Sequence, residues 1–258
     1  MTPALLQELI VRFQAFTDAY RTDGALEPML QLKLEHTLRV AADARAVAFA
    51  EGWPEEEQIL AEAIGLFHDV ARFPQFRKYR SFSDADTIDH GELGVQTLEK
   101  EGLLAGVAQE ASTLILRAVS GHNKRNLLPR LTAQEERHLR LIRDADRLDI
   151  FFICWDTIQT GHIHDHPEIM MNLDFYGPPS AVVLEQFERG EPIDYRGLQT
   201  MADRFVLQLS WMNDLSYAAS RRLVLQRGIL EKFISVLPVH SAPLLRCFEQ
   251  TATRLALA

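Results

Sequence analysis

The sequence holds only two cysteines, Cys154 and Cys247, far apart and outside any CxxC pair. This excludes a disulfide framework or a thiolate zinc knuckle as the organising device, and it leads us to expect a reducing, cytoplasmic setting. Positive charge is also short. Lysine and arginine number 27 against 36 acidic residues, a formal charge of -9, which argues against a general nucleic-acid binder or a binder of acidic membranes. A small phosphorylated substrate is compatible with that balance, because a metal and a few local cations can reverse the field within one pocket. No apolar run approaches a membrane span. The first residues, MTPALLQELIVRFQAF, lack a basic segment before a long apolar run and do not read as a signal peptide. The 11 prolines are scattered, and there is no low-complexity tract, no fixed-period repeat and little strand-like alternation.

What remains is helical. A chain of 258 residues, 47% of them hydrophobic, can bury a sizeable core. Leu5, Leu6, Leu9, Ile10, Phe13 and Phe16 set a helical period, and residues 31 to 51 set a second one ending near Gly52. Pro54 and the acidic run Glu55 to Glu57 suit the start of a third helix. Residues 72 to 89, rich in aromatics and arginine, are expected to form an ordered loop. Periodicity resumes from about Thr87 to Lys100 and again over 107 to 120. Thr132 with Glu135 resembles a capping box for a helix reaching about Thr157. Further helices are expected at about 179 to 189, 199 to 213, 217 to 233 with a break near Gly228, and within 241 to 256. The reading is an all-α fold with an antiparallel bundle core and additional C-terminal helices. A core over 1–160 is expected to be followed by a helical extension over 161–258.

Ligand-type residues interrupt the buried stripes of this pattern. In GLFHDVARF, residues 65 to 73, His68 continues the stripe of Ala61 and Ile64, and Asp69 stands beside it. His36 lies between Leu32 and Val40, Asp146 lies between Ile142 and Ile150, and His122 follows Ile115, Ala118 and Val119. For any one histidine, a satisfied core residue is the commoner explanation. Together they place imidazoles and carboxylates on the inner faces of separate helices, where a divalent cation would offset the desolvation of the carboxylates.

The order His36, His68–Asp69 and Asp146 resembles the HD-domain metal-dependent phosphohydrolases, over approximately residues 30 to 155. The string DADRLD, residues 144 to 149, matches as well, with the ligand being the aspartate directly before the basic residue, Asp146 rather than Asp144. In the family a four-residue set holds one metal, and a larger set adds two histidines. This sequence has His90 in IDHGELG and His122 in SGHNKRN. The resemblance implies that His36, His68, Asp69 and Asp146 hold one ion, and that Asp69 bridges to a second held by His90 and His122. One or two divalent ions are expected: manganese, iron, cobalt, nickel or zinc, with magnesium less comfortable among imidazoles. The implied reaction is hydrolysis of a small soluble phosphate ester, a nucleotide or phosphorylated metabolite, by metal-activated water.

Arg72, Lys124 and Arg125 are candidates to join Asp69 in the catalytic set by meeting the phosphate, with Arg77, Lys78 and Arg80 a weaker basic patch. Asp84, Asp86 and Asp89 could orient a ligand imidazole or form turns and caps. Phe73, Phe76, Tyr79 and Phe82 could stack on a base, although packing of the loop is the plainer reading. The histidines His162, His164 and His166 lie outside the matched region and suit a surface or gate role better than the metal site. The HHE and GYP signatures of the cyclic-di-GMP branch are absent, as are the longer sequence of the triphosphohydrolases and the extra domains of the bifunctional guanosine-tetraphosphate enzymes. Competing functions are a cyclic or oligonucleotide phosphodiesterase, a di-iron oxygenase and a non-catalytic metal-bound sensor. No membrane or long nucleic acid is expected as a partner, and periodicity leaves open whether Trp155, Trp211 and the C-terminal helices roof a cleft or form a homo-oligomer face.

Overall fold

The computed structural model describes residues 1–165, 170 and 172–257, without the side chains of His164 and Asp165. The expectation for His162, His164 and His166 therefore falls largely outside the described residues. His162 itself is exposed.

The chain divides into two compact units, Met1–Asp146 and Arg147–Ala258. The described residues are helical, with isolated β-bridges at Thr22–Ala25 and Asp174–Thr200 and no strand among them. The first unit contains α1 (Pro3–Asp18), α2 (Pro28–Ala50), α3 (Glu55–Phe67), α4 (Arg72–Tyr79), α5 (His90–Lys100), α6 (Gln109–Gly121) and the first half of α7 (Ala133–Gln159). In the second unit the rest of α7 is followed by α8 (His162–Asp165), α9 (Ala181–Arg189), α10 (Met201–Asn213), α11 (Ala218–Gln226), α12 (Ile229–Ser235) and α13 (Ala242–Leu257).

Local chemistry explains these boundaries. Pro28 starts α2 where its missing N–H is not needed. The acidic residues Glu55, Glu56 and Glu57 occupy the first turn of α3 and favour the positive end of its dipole. The capping box ahead of α7 is present: Thr132 N donates to Glu135 Oε2 at 2.7 Å and Glu135 N to Thr132 Oγ1 at 3.2 Å. The expected break near Gly228 separates α11 from α12, with Gly228 at a φ of 59°.

One expectation needs correction. Residues 72 to 79, read from sequence as loop, form α4. Pro74 sits within the first turn, where it breaks no helical hydrogen bond. Phe73 and Phe76 are both buried from that helix, and Phe73 packs edge-on against Phe13 with ring centroids 6.3 Å apart. The helix stops at Arg80, whose φ of 56° is left-handed. Phe73 is thus a core residue rather than a base-stacking one.

Two glycines set how closely the helices of the first unit approach. A Cβ on Gly65 of α3 would lie 2.5 Å from Ala41 Cα of α2, and one on Gly91 of α5 would lie 2.9 Å from Ser120 O of α6. Each close approach stands beside a histidine pair. Gly65 is one turn before His68 and faces the helix of His36, while Gly91 adjoins His90 and faces the helix that ends at His122. Gly94 continues the second contact, where a Cβ would meet Val119 Cγ1 at 2.7 Å.

Candidate metal centre

The sequence-predicted ligands converge. His36 comes from the middle of α2, and His68 from the C-terminal end of α3 with Asp69 directly after it. His90 begins α5, His122 follows the end of α6, and Asp146 lies on α7. His36, His68, Asp69, His90 and His122 are buried, with His68 at 0% exposure. The Asp146 side chain retains 19%.

Asp69 lies between two groups of imidazoles. Its Oδ2 is 3.5 Å from His36 Nε2 and 3.8 Å from His68 Nε2. Its Oδ1 is 3.4 Å from His90 Nε2 and 3.7 Å from His122 Nε2. Asp146 Oδ1 closes the first group at 3.2 Å from His36 Nε2 and 3.8 Å from His68 Nε2. His36, His68 and Asp146 form one set able to hold a metal ion, and His68, Asp69 and His122 form another, with the ligand atoms of each set within 4.8 Å of one another.

The donor chemistry fits a cation. His68 Nδ1 donates to Gly65 O at 2.7 Å and His122 Nδ1 to Val119 O at 2.8 Å. His90 Nδ1 donates to Asp84 Oδ2 at 2.5 Å. These partners accept only, so in each neutral ring the proton sits on Nδ1 and the lone pair on Nε2. The Nε2 atoms of His90 and His122 then face each other, lone pair to lone pair, at 3.0 Å. The Nε2 atoms of His36 and His68 are 3.2 Å apart. A divalent ion turns that repulsion into coordination.

Electrostatics keep His68, His90 and Asp69 in forms able to bind a cation. Burial pushes the His68 imidazole down to about 3. Burial, helped by the Arg72 charge, lowers His90 to about 4. Burial alone would raise the Asp69 carboxyl, but Lys33, Arg72 and His68 outweigh it and hold Asp69 well below its usual range. Asp84 is likewise lowered: the penalty of burial is overcome by the hydrogen bond and charge of His90 and by Arg72.

Residues 34–150 match the sequence profile of the HD domain. This segment is similar to the HD domain family. The HD match contains every residue of the two clusters, and clustered histidines and aspartates within such a match are typical of a catalytic phosphohydrolase site. Neither a curated protein nor a solved structure matches the chain.

Around the HD cluster, Arg72 is the cation most tightly built in. Its Nε donates to Asp69 Oδ1 at 3.2 Å, and its Nη1 to Gln75 Oε1, Phe82 O and Asp84 Oδ1 at 2.8, 2.8 and 3.1 Å. Lys124 sits further out and bonds Asp89 Oδ2 at 2.6 Å and Glu92 Oε1 at 3.3 Å. The Arg125 carbonyl accepts from Arg143 Nη2 at 3.2 Å. The three aspartates before His90 have separate tasks. Asp84 holds His90, Asp86 accepts from Ser83 Oγ at 2.6 Å, and Asp89 caps α5 by accepting from Glu92 N at 3.1 Å. Arg80 is drawn away from the site by its pairing with Glu27.

Three contributors escaped the sequence reading. Lys33 Nζ lies 2.8 Å from Asp69 Oδ2. Gln75, fully buried, ties the loop after α4 through Asp84, Thr87 and Ile88. Asn123 Nδ2 reaches both Asp84 Oδ2 and Asp89 Oδ1 at 3.1 Å. A usable signal existed for Lys33 alone, which is one turn before His36 on the same helix face.

Proposed function

We propose that this protein hydrolyses a small soluble phosphate ester, a nucleotide or phosphorylated metabolite, at a centre of one or two divalent ions. The observation that carries the reading is the position of Asp69, with each carboxylate oxygen turned toward a different pair of imidazoles. His36, His68, Asp69 and Asp146 would hold one ion, and Asp69, His90 and His122 would hold the other. The imidazole-rich set suits manganese, iron, cobalt, nickel or zinc better than magnesium. A bound ion of this kind supplies a Lewis acid for phosphoryl oxygens and lowers the pKa of its water.

The chain's own residues do the rest. Asp84, Gly65 O and Val119 O fix the rings of His90, His68 and His122 so that Nε2 faces inward. Arg72 orients Asp69 and, with no described partner on its Nη2, keeps donors for a phosphate oxygen. Lys124 and Arg125, in the segment after His122, enter the proposal as outer phosphate contacts. Placing the metal-binding core in 1–160 and a helical extension in 161–258 belongs to the same proposal. Two free, buried cysteines, Cys154 and Cys247, support a cytoplasmic setting. Among the described residues, no helix is long and apolar enough to cross a membrane.

The test is a metal-loaded panel of nucleotides, sugar phosphates and phosphodiesters. Release of inorganic phosphate from a monoester supports the proposal. Opening of a diester without phosphate release points instead to a phosphodiesterase, and oxygen uptake by the iron form without any hydrolysis points to an oxygenase.

A further inference from the structure

Each oxygen of Asp69 already carries a cation from the chain itself. Arg72 Nε is on Oδ1 at 3.2 Å and Lys33 Nζ is on Oδ2 at 2.8 Å. The two cations are held very differently. Arg72 is locked by further bonds to Gln75, Phe82 and Asp84. Lys33 has Asp69 as its one hydrogen-bond partner among the described residues and otherwise lies 5.5 Å from the centroid of the Phe82 ring. Its side chain is 18% exposed, and a flexible stem lets an ammonium exchange partners without moving the helix. The oxygen it occupies is the one that faces His36 Nε2 and His68 Nε2.

We propose that Lys33 is an internal counter-ion that competes with the divalent metal for Asp69 Oδ2, so that metal entry at the His36–His68–Asp146 cluster exchanges one cation for another. Lys33 balances a buried carboxylate before the metal arrives and repels the metal as it arrives. It therefore sets the affinity of the site rather than serving as a ligand. The inference rests on the metal-centre reading of the proposed function. It predicts that a lysine beside the ligands weakens binding, whereas a lysine that only supports the fold would strengthen it.

The experiment is a manganese titration by calorimetry of the full chain, as wild type, Lys33→Met, Lys33→Gln and Lys33→Arg, with melting temperatures of metal-free and loaded forms. Lys33→Met and Lys33→Gln are expected to bind manganese on the order of tenfold more tightly, because a like charge close to the ion has been removed. Their metal-free forms melt lower than wild type, their loaded forms melt close to it, and Lys33→Arg stays near wild type in affinity. Lys33→Gln retains an N–H donor for Asp69 and covers the case in which Lys33→Met does not fold. Wild-type uptake with unchanged or weaker binding in a folded Lys33→Met or Lys33→Gln overturns this inference alone. No uptake by any form overturns the metal-centre reading and this inference with it.

Discussion

His90 Nδ1 and Asp84 Oδ2 lie 2.5 Å apart, joining the first residue of α5 to the loop that follows α4. In the proposed metal centre this contact makes Asp84 a support for the His90 ring rather than a ligand itself. Asp84 also accepts from Arg72, Gln75 and Asn123, so one carboxylate ties His90 to three neighbouring side chains.

Asp84→Asn is accordingly expected to weaken metal binding on the His90–His122 side by about 10- to 100-fold, the usual cost of losing a partner behind a metal-bound histidine. The ion at His36, His68 and Asp146 is expected to be less affected. Metal content after dialysis against graded metal concentrations, set beside the wild type, checks this.

Gly65→Ala tests the packing that unites His36 and His68. The added Cβ would meet Ala41 Cα at 2.5 Å, so α2 and α3 must part. A loss of about 1–3 kcal/mol in stability is expected, together with weaker metal binding. Gly52→Ala is the control for a helix-end glycine with open space around its Cβ position. It should lose stability through its positive φ of 72° while keeping metal affinity. Denaturant unfolding and metal titration together separate the two effects.

The pH dependence of the metal-free protein follows from His68 and His90, held near 3 and 4 against an ordinary value of 6.5. Their folded-state values are depressed, so above about pH 6.5 neither state binds the extra proton and stability is full. As pH falls below 6.5 the unfolded chain takes up protons that the folded chain refuses, and stability drops. The slope is at most about 1.4 kcal/mol per pH unit for each histidine. The lowered Asp84 carboxyl adds to the loss only at more acid pH, as the unfolded carboxyl begins to protonate near 3.8. Denaturation midpoints between pH 5 and 8 measure the slope, which is expected to be shallower in His68→Gln.

Lys124→Ala is expected to raise KM for a phosphate substrate several-fold with little change in kcat, as for a contact made equally in ground and transition states. Arg72→Ala, which removes a partner of both Asp69 and Asp84, should depress kcat/KM by about 100-fold or more. Steady-state kinetics on the first substrate found in the panel distinguishes the two.

The helical fold was legible in its apolar periodicity, and His36, His68, His122 and Asp146 stood out because each interrupts a buried stripe, whereas Asp69 was marked by its place beside His68 and His90 only by the resemblance to the HD family. The choice of Asp146 over Asp144 rested on the local string. The stripe of Ile142 and Ile150 agrees with that choice, since residues two apart on a helix point to different faces, and it is Asp146 that stands 3.2 Å from His36. Helix α4 was missed because its stretch of aromatics and arginines read as loop, while the burial that stabilises it comes from Phe13 and Phe16 of α1 and from Tyr20 just beyond that helix. Lys33 was passed over because lysine on a helix is ordinarily solvated. Its place one turn before His36 was the one local signal, because the pairing with Asp69 itself spans 36 positions of sequence. Asn123 and Gln75 were hidden for the same reason, since both act through a loop whose path no periodicity specifies.

The central claim is that Asp69 is shared by the two imidazole groups, and metal content of purified Asp69→Ala beside wild type and Asp146→Ala tests it most directly. With folding verified by circular dichroism, the account predicts that Asp69→Ala retains neither ion and releases no phosphate, while Asp146→Ala loses chiefly the ion of the His36–His68 side. Wild-type metal content and normal turnover in Asp69→Ala would contradict the account.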